Sequence, residues 1–175
     1  MTILKNPVTS TDHIRGNINA PITLLEYGDY ECPYCGVAHS IIKRVQKHFG
    51  EQLRFVYRNF PLTDLHPHAE IAAEAAEFAG AHGHFWEMHD LVYEHQKHLD
   101  TEVLLKLART LELSDTELLN AIKNRTYLLK IQHDVLNGEA NGVHGTPTFF
   151  INDRLYKGSY EFKDLVAAIE RVAIQ

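Results

Sequence analysis

Apolar positions follow two rhythms along this chain, and the changes of rhythm divide it. Residues 22–28, ITLLEYG, form an apolar run broken by one acid, Glu26, between Pro21 and the closing Gly28. This pattern predicts a buried strand. From 33 to 49 the period lengthens. Val37, Ile41, Val45 and Phe49 recur every four residues, with Ile42 beside them. An amphipathic helix is predicted, with that stripe inward and Gly50 as C-cap. Residues 53–59, LRFVYRN, are rich in aromatic and β-branched types and predict a second strand. The opening is therefore a βαβ unit.

Between Leu62 and Asn141 no strand pattern is visible. An alanine-rich helix is predicted over 69–79, stopped near Gly80, and a second over 85–96, with Phe85, Met88 and Val92 on one face. Thr101 is the expected N-cap of a third, running to about 111. Ser114 and Glu117 form the capping box of a fourth. A fifth runs from about 126 to 140. Phe78, Phe85, Trp86 and Tyr93 are expected in the core of this section, not in an exposed peptide groove. The strand pattern returns at 148–152, TFFIN. Asn152–Asp153 then turns tightly into a strand over 154–157. A helix over 162–172 closes the chain with Leu165, Val166 and Ile169. The expected fold class is α/β: residues 1–61 and 142–175 form one domain with a mixed sheet, and 62–141 is an all-helical insertion.

Composition narrows the function. A chain of 175 residues with 45% hydrophobic and 23% charged positions is ordinary globular material, neither disordered nor coiled coil. The net charge of −6, without a basic block, argues against nucleic acid and anionic membrane surfaces as partners. No stretch approaches the ~20 apolar residues of a membrane span, so no membrane insertion is expected. The N-terminus lacks the ~7–15-residue apolar region of a signal peptide. With Met1 as the natural start, a cytoplasmic location is expected.

The two cysteines are Cys32 and Cys35. The Cys-Pro-Tyr-Cys turn lies between a predicted strand and a predicted helix. A cysteine at a helix N-terminus meets free N–H groups and the positive dipole end, which lower its pKa from about 8.5 into the range of roughly 3.5–7.5. Pro33 suits the first helical turn. Cys35 is spaced to resolve a mixed disulfide on Cys32. Half a zinc site and two inert thiols are the alternatives; the strand–turn–helix setting favours a redox pair.

Glu26 lies six positions before Cys32 in an apolar strand. A buried carboxylate can take the proton that Cys35 must lose; the alternative is a residue pointing to solvent. In Thr146-Pro147 the residues leave the peptide isomer open. Eight of twelve histidines fall within 62–141. His95 and His98 share a helix face but are read as solvated surface, and His144 precedes the Gly-Thr-Pro turn. No metal and no bound cofactor are expected.

The motifs together resemble the DsbA-family thiol–disulfide oxidoreductases of the thioredoxin superfamily. They are D-H-I-R-G-N, L-L-E-Y-G-D-Y-E-C-P-Y-C-G, R-N-F-P-L, F-W-E-M-H-D and G-V-H-G-T-P-T-F-F-I-N, in order along nearly the whole chain. The resemblance implies a thioredoxin fold with a helical insertion. It implies Cys32 as nucleophile, Cys35 as resolving thiol, Pro147 as a cis-proline facing them and Glu26 as buried acid. Pro33, Tyr34 and Thr146 are the implied contacts to substrate. The implied partners are protein or peptide thiols and disulfides, with glutathione a further candidate. Tyr34 departs from the strongly oxidising members, which carry histidine there. Asp29 and Glu31 add negative charge, so a less depressed Cys32 pKa and a less oxidising couple are expected. Oxidase, reductase and isomerase directions stay open. So do a redox-inert peptide-binding module, a metal carrier and a glutathione-linked isomerase or transferase.

Overall fold

β2 (Ile22–Gly28) is buried along all seven residues because it lies in the middle of a five-stranded sheet. The computed structural model describes residues 2–173. Strand order is β1-β3-β2-β4-β5, with β1 (His13–Gly16), β3 (Leu53–Asn59), β4 (Thr148–Ile151) and β5 (Arg154–Tyr156). β2 runs parallel to β3 and antiparallel to β4; β1 and β5 pair antiparallel at the two edges. The parallel β2–β3 pair needs a crossover, which α1 (Pro33–Phe49) supplies.

Side chains alternate across the sheet and build a core on each face. Ile22, Leu24, Phe55, Tyr57, Phe149 and Ile151 join α1 and α7 (Phe162–Ala173) in the larger one. Leu25, Tyr27, Val56 and Phe150 join Leu4, Phe60 and Val143 on the other face. Burial on both faces explains why β2 reads as a nearly continuous apolar run. Glu26 shares the parity of Ile22 and Leu24 and so faces the α1 side.

Between β3 and β4 lie α2 (Ala69–Ala81), α3 (Phe85–Glu94), α4 (Thr101–Thr110), α5 (Asp115–Asn124) and α6 (Leu128–Ala140). Most of their buried apolar residues belong to the larger core, while Val135 of α6 packs against the smaller one. Phe78, Phe85 and Tyr93 are buried there, and Trp86 packs against it.

Several local expectations need correction. Val37 is 55% exposed; the buried face of α1 is Cys35, Ala38, Ile41, Ile42 and Val45, rotated from the predicted stripe. α2 ends at Ala81, one residue past Gly80, so Gly80 itself is not the stop. It stays helical where a Cβ would press at 3.3 Å on His13 and Phe85, whose rings stack. The chain turns at Gly83, with φ of 82°, a conformation that costs glycine little. α4 is capped by Asp100, whose Oδ1 accepts from the Val103 N–H at 2.9 Å, and not by Thr101. Ser114 does cap α5, accepting from the Glu117 N–H. β1 was not anticipated: four polar-leaning residues become a strand only by pairing with β3. The Asn152–Asp153 turn has positive φ at both residues, as a two-residue hairpin of matching twist requires.

Candidate active site

Cys32 is the N-cap of α1, with extended backbone (φ −69°, ψ 121°), and Pro33 opens the helix. β2 ends four residues earlier and delivers the turn to the C-terminal edge of the sheet. Asp29, 1% exposed, stabilises that turn: its Oδ1 accepts from the N–H of Glu31 at 2.8 Å and of Cys32 at 3.1 Å. Cys35 is fully buried one turn into the helix, and the Asp29 N–H points at its sulfur, 3.5 Å away. Cys32 keeps 3% exposure, so it is the thiol nearer solvent. Both are free thiols. The Thr146–Pro147 peptide bond is cis, and the Thr146 carbonyl oxygen lies 3.5 Å from Cys32 Sγ. Pro33 and Tyr34 are exposed beside it, Tyr34 by 66%.

The two thiols are pushed in opposite directions. Hydrogen bonding from Cys35, aided by the N–H groups of Cys35 and Tyr34, outweighs burial and lowers the Cys32 pKa to about 5. Burial raises the Cys35 pKa well above the usual thiol range, and its hydrogen bond to Cys32 adds to this. Glu26 is 2% exposed, and its Oε1 has no hydrogen-bond partner among the described residues. Burial first, and the charge of Cys32 second, raise the Glu26 pKa to about 8. A carboxyl group in that range can take up and release a proton near neutrality.

Asp29 and Glu31 do not act as two loose negative charges. Asp29 Oδ2 accepts from the Leu62 N–H and is paired with His66 Nδ1, both at 2.8 Å. Glu31 accepts from the His68 N–H at 2.6 Å and is paired with its Nδ1 at 2.9 Å. The expectation of a Cys32 pKa less depressed than in the strongly oxidising relatives counted Asp29 and Glu31 as unpaired; both carboxylates are paired, and the Cys32 pKa is about 5.

Sequence reasoning missed four groups here. His66 and His68 are two; the equal spacing of Asp29/Glu31 and His66/His68 was the available signal. A third is Gln96, after α3, whose Nε2 donates to the carbonyls of Cys32 at 2.7 Å and Tyr30 at 2.9 Å. The fourth is the Tyr57–Tyr93 hydroxyl pair, 3.1 Å apart. Tyr57 stands beside Glu26 in the β2–β3 register. His144 is exposed, as are His95 and His98.

Among the described residues, His39, His89 and Asp90 are a cluster with metal-ligand atoms. Asp90 is already paired with Arg15 at 2.9 Å and His39 at 2.8 Å, with Lys43 at 3.6 Å. Arg15 and Lys43 already place two positive charges at this carboxylate, which disfavours a metal ion there.

The family model described as Thioredoxin matches residues 8–171, and the chain belongs to that family. The protein is 46% identical over 158 residues to a Na(+)/H(+) antiporter NhaA 1 of Salinispora arenicola, a match covering 90% of this chain and 24% of that protein. The chain thus spans about a quarter of the length of the curated relatives it matches. No helix among the described residues is long and apolar enough to cross a membrane. Among solved structures, oxidised BdbD from Bacillus subtilis superposes with a TM-score of 0.90 at 23% identity, covering 99% of each chain. A thioredoxin-like oxidoreductase from Silicibacter pomeroyi superposes at 0.84 with 25% identity, covering 95% of each. The thioredoxin-like fold implied by the DsbA-type motifs is the fold observed.

Proposed function

We propose that this protein is a dithiol–disulfide oxidoreductase acting on protein or peptide thiols through Cys32 and Cys35. The observation that carries the reading is the split between the thiols: one at a helix N-cap with its pKa lowered to about 5, the other buried with its pKa raised.

That split assigns an order to the chemistry. The Cys32 thiolate attacks a substrate disulfide; a Cys32–substrate S–S bond forms, and the other substrate sulfur leaves as thiolate. Glu26 takes the Cys35 proton. Cys35 then attacks Cys32 Sγ, the second substrate sulfur leaves with the electron pair, and the Cys32–Cys35 disulfide forms. Two electrons have passed to the substrate. In reverse, the protein's disulfide oxidises a substrate dithiol. Stabilising the Cys32 thiolate stabilises the reduced protein, which favours this second direction. The Thr146 carbonyl beside Cys32, with exposed Pro33 and Tyr34, supplies the ledge on which an extended peptide can rest, and Pro147 holds its turn.

Equilibration with mixtures of reduced and oxidised glutathione, read by alkylation and mass, tests the proposal. Two alkylatable thiols should pass to none in one two-electron step, and the oxidised protein should then oxidise a dithiol peptide. Thiols that stay free across the range would overturn it.

A further inference from the structure

We propose that His66, through its ion pair with Asp29, is a positioning residue that supplies the positive charge opposite the Cys32 thiolate, the charge that Tyr34 cannot provide from between the cysteines. The proposal deepens the dithiol reading and rests on it.

The geometry begins with Asp29. Its carboxylate is buried at the root of the active-site turn, and one oxygen accepts from the Cys32 N–H itself. A negative charge so placed opposes a second one on the Cys32 sulfur unless a cation offsets it. The other oxygen faces the loop after β3, which brings the Leu62 N–H and the His66 ring to it. His66 is therefore the cation nearest in bonding to the acid nearest in bonding to Cys32. Burial works against the imidazolium, but the Asp29 carboxylate outweighs burial and raises the His66 pKa, with Cys32 and Glu31 contributing in the same sense. The remaining ionisable groups around Cys32 do not replace it. Glu26 and Cys35 come from the core and bear no positive charge in any state; Tyr160 contributes a phenol. His68 is committed to Glu31. The loop thus carries out electrostatically what a histidine inside the Cys-x-x-Cys turn would do covalently adjacent to the thiol.

The test reads the thiolate directly. The pH profile of Cys32 alkylation by iodoacetamide should move upward in His66→Gln, which keeps a donor for Asp29 but no charge, leaving roughly three- to tenfold less thiolate near pH 5. His66→Lys should restore the profile, and Asp29→Asn combined with His66→Gln should bring it back toward the parent. A second measurement needs no change at the histidine. Coupling is reciprocal, so the His66 ring should titrate at higher pH in the reduced protein than in Cys32→Ser, by NMR. An unmoved alkylation profile in His66→Gln, an equal displacement in His66→Gln and His66→Lys, or a His66 titration indifferent to Cys32→Ser would each overturn the proposal. None of these readings involves disulfide exchange. A protein that satisfied them yet never equilibrated with glutathione would overturn the dithiol reading instead.

Discussion

Gln96 reaches 64 positions back along the chain to donate to the Cys32 carbonyl at 2.7 Å, and its own amide oxygen occupies the space beside Gly36. A Cβ at residue 36 would stand 2.2 Å from that oxygen. The absent side chain and the amide are therefore one feature: the glycine admits the group that fastens the active-site turn to the helical section.

Gly36→Ala should displace Gln96 and leave the Tyr30 and Cys32 carbonyls short of a donor, at a cost of about 1–3 kcal/mol. Better helix propensity offsets up to ~1 kcal/mol of this. With Gln96→Ala in place, the same substitution no longer meets the amide and should be neutral or stabilising by up to ~1 kcal/mol. Urea unfolding of the four proteins measures the coupling; identical effects of Gly36→Ala in both backgrounds would separate the two residues.

Glu26 and Cys32 should give the reduced protein opposed pH dependences. The folded protein holds the Glu26 proton up to about pH 8, whereas an ordinary glutamic acid loses it near 4.5. Its contribution is full below 4.5 and falls away as pH rises through that window. Cys32 is the reverse: its pKa drops from 9.0 to about 5, so its contribution is full above 9.0 and fades as pH falls. Between about pH 5 and 8 the two slopes oppose one another. Glu26→Gln should leave stability rising with pH, and Cys32→Ser should leave it falling, each by an order of a few kcal/mol across the window. Chemical denaturation at pH 5, 6.5 and 8 tests this; parallel curves for the two variants would contradict it.

Cys35 is the largest influence holding the Cys32 pKa down. Cys35→Ala should therefore raise the Cys32 titration above about 5, measured by thiolate absorbance. It should also accumulate a mixed disulfide through Cys32, because nothing remains to attack it. Limiting iodoacetamide on the parent protein should label Cys32 before buried Cys35.

At the start of α4, Asp100→Ala should cost about 1 kcal/mol, the usual worth of an N-cap side chain. Thr101→Ala, inside the first turn, should cost little. Thermal unfolding ranks them, and the reverse order would return the cap to Thr101.

What could be read without coordinates was whatever depends on near neighbours in the chain. The apolar run of 22–28 and the turn at Asn152–Asp153 report local sterics and one-dimensional burial, so strands and hairpin were legible. Cys-Pro-Tyr-Cys was legible because a helix N-terminus acts on the residue that begins it. Glu26 stood out because a lone acid in an apolar strand has few other uses. The elements that escaped notice depend on partners far along the chain. β1 exists by pairing with β3. The inward face of α1 was decided by what packs on it, which left Val37 outside. The Asp29 carboxylate changed meaning once Leu62 and His66 folded against it, and Gln96 acquired a role only when α3 ended beside the Cys32 carbonyl. Local propensity is written in adjacent residues. The pairing of charges and the satisfaction of buried carbonyls are settled only when distant segments meet and water is excluded between them.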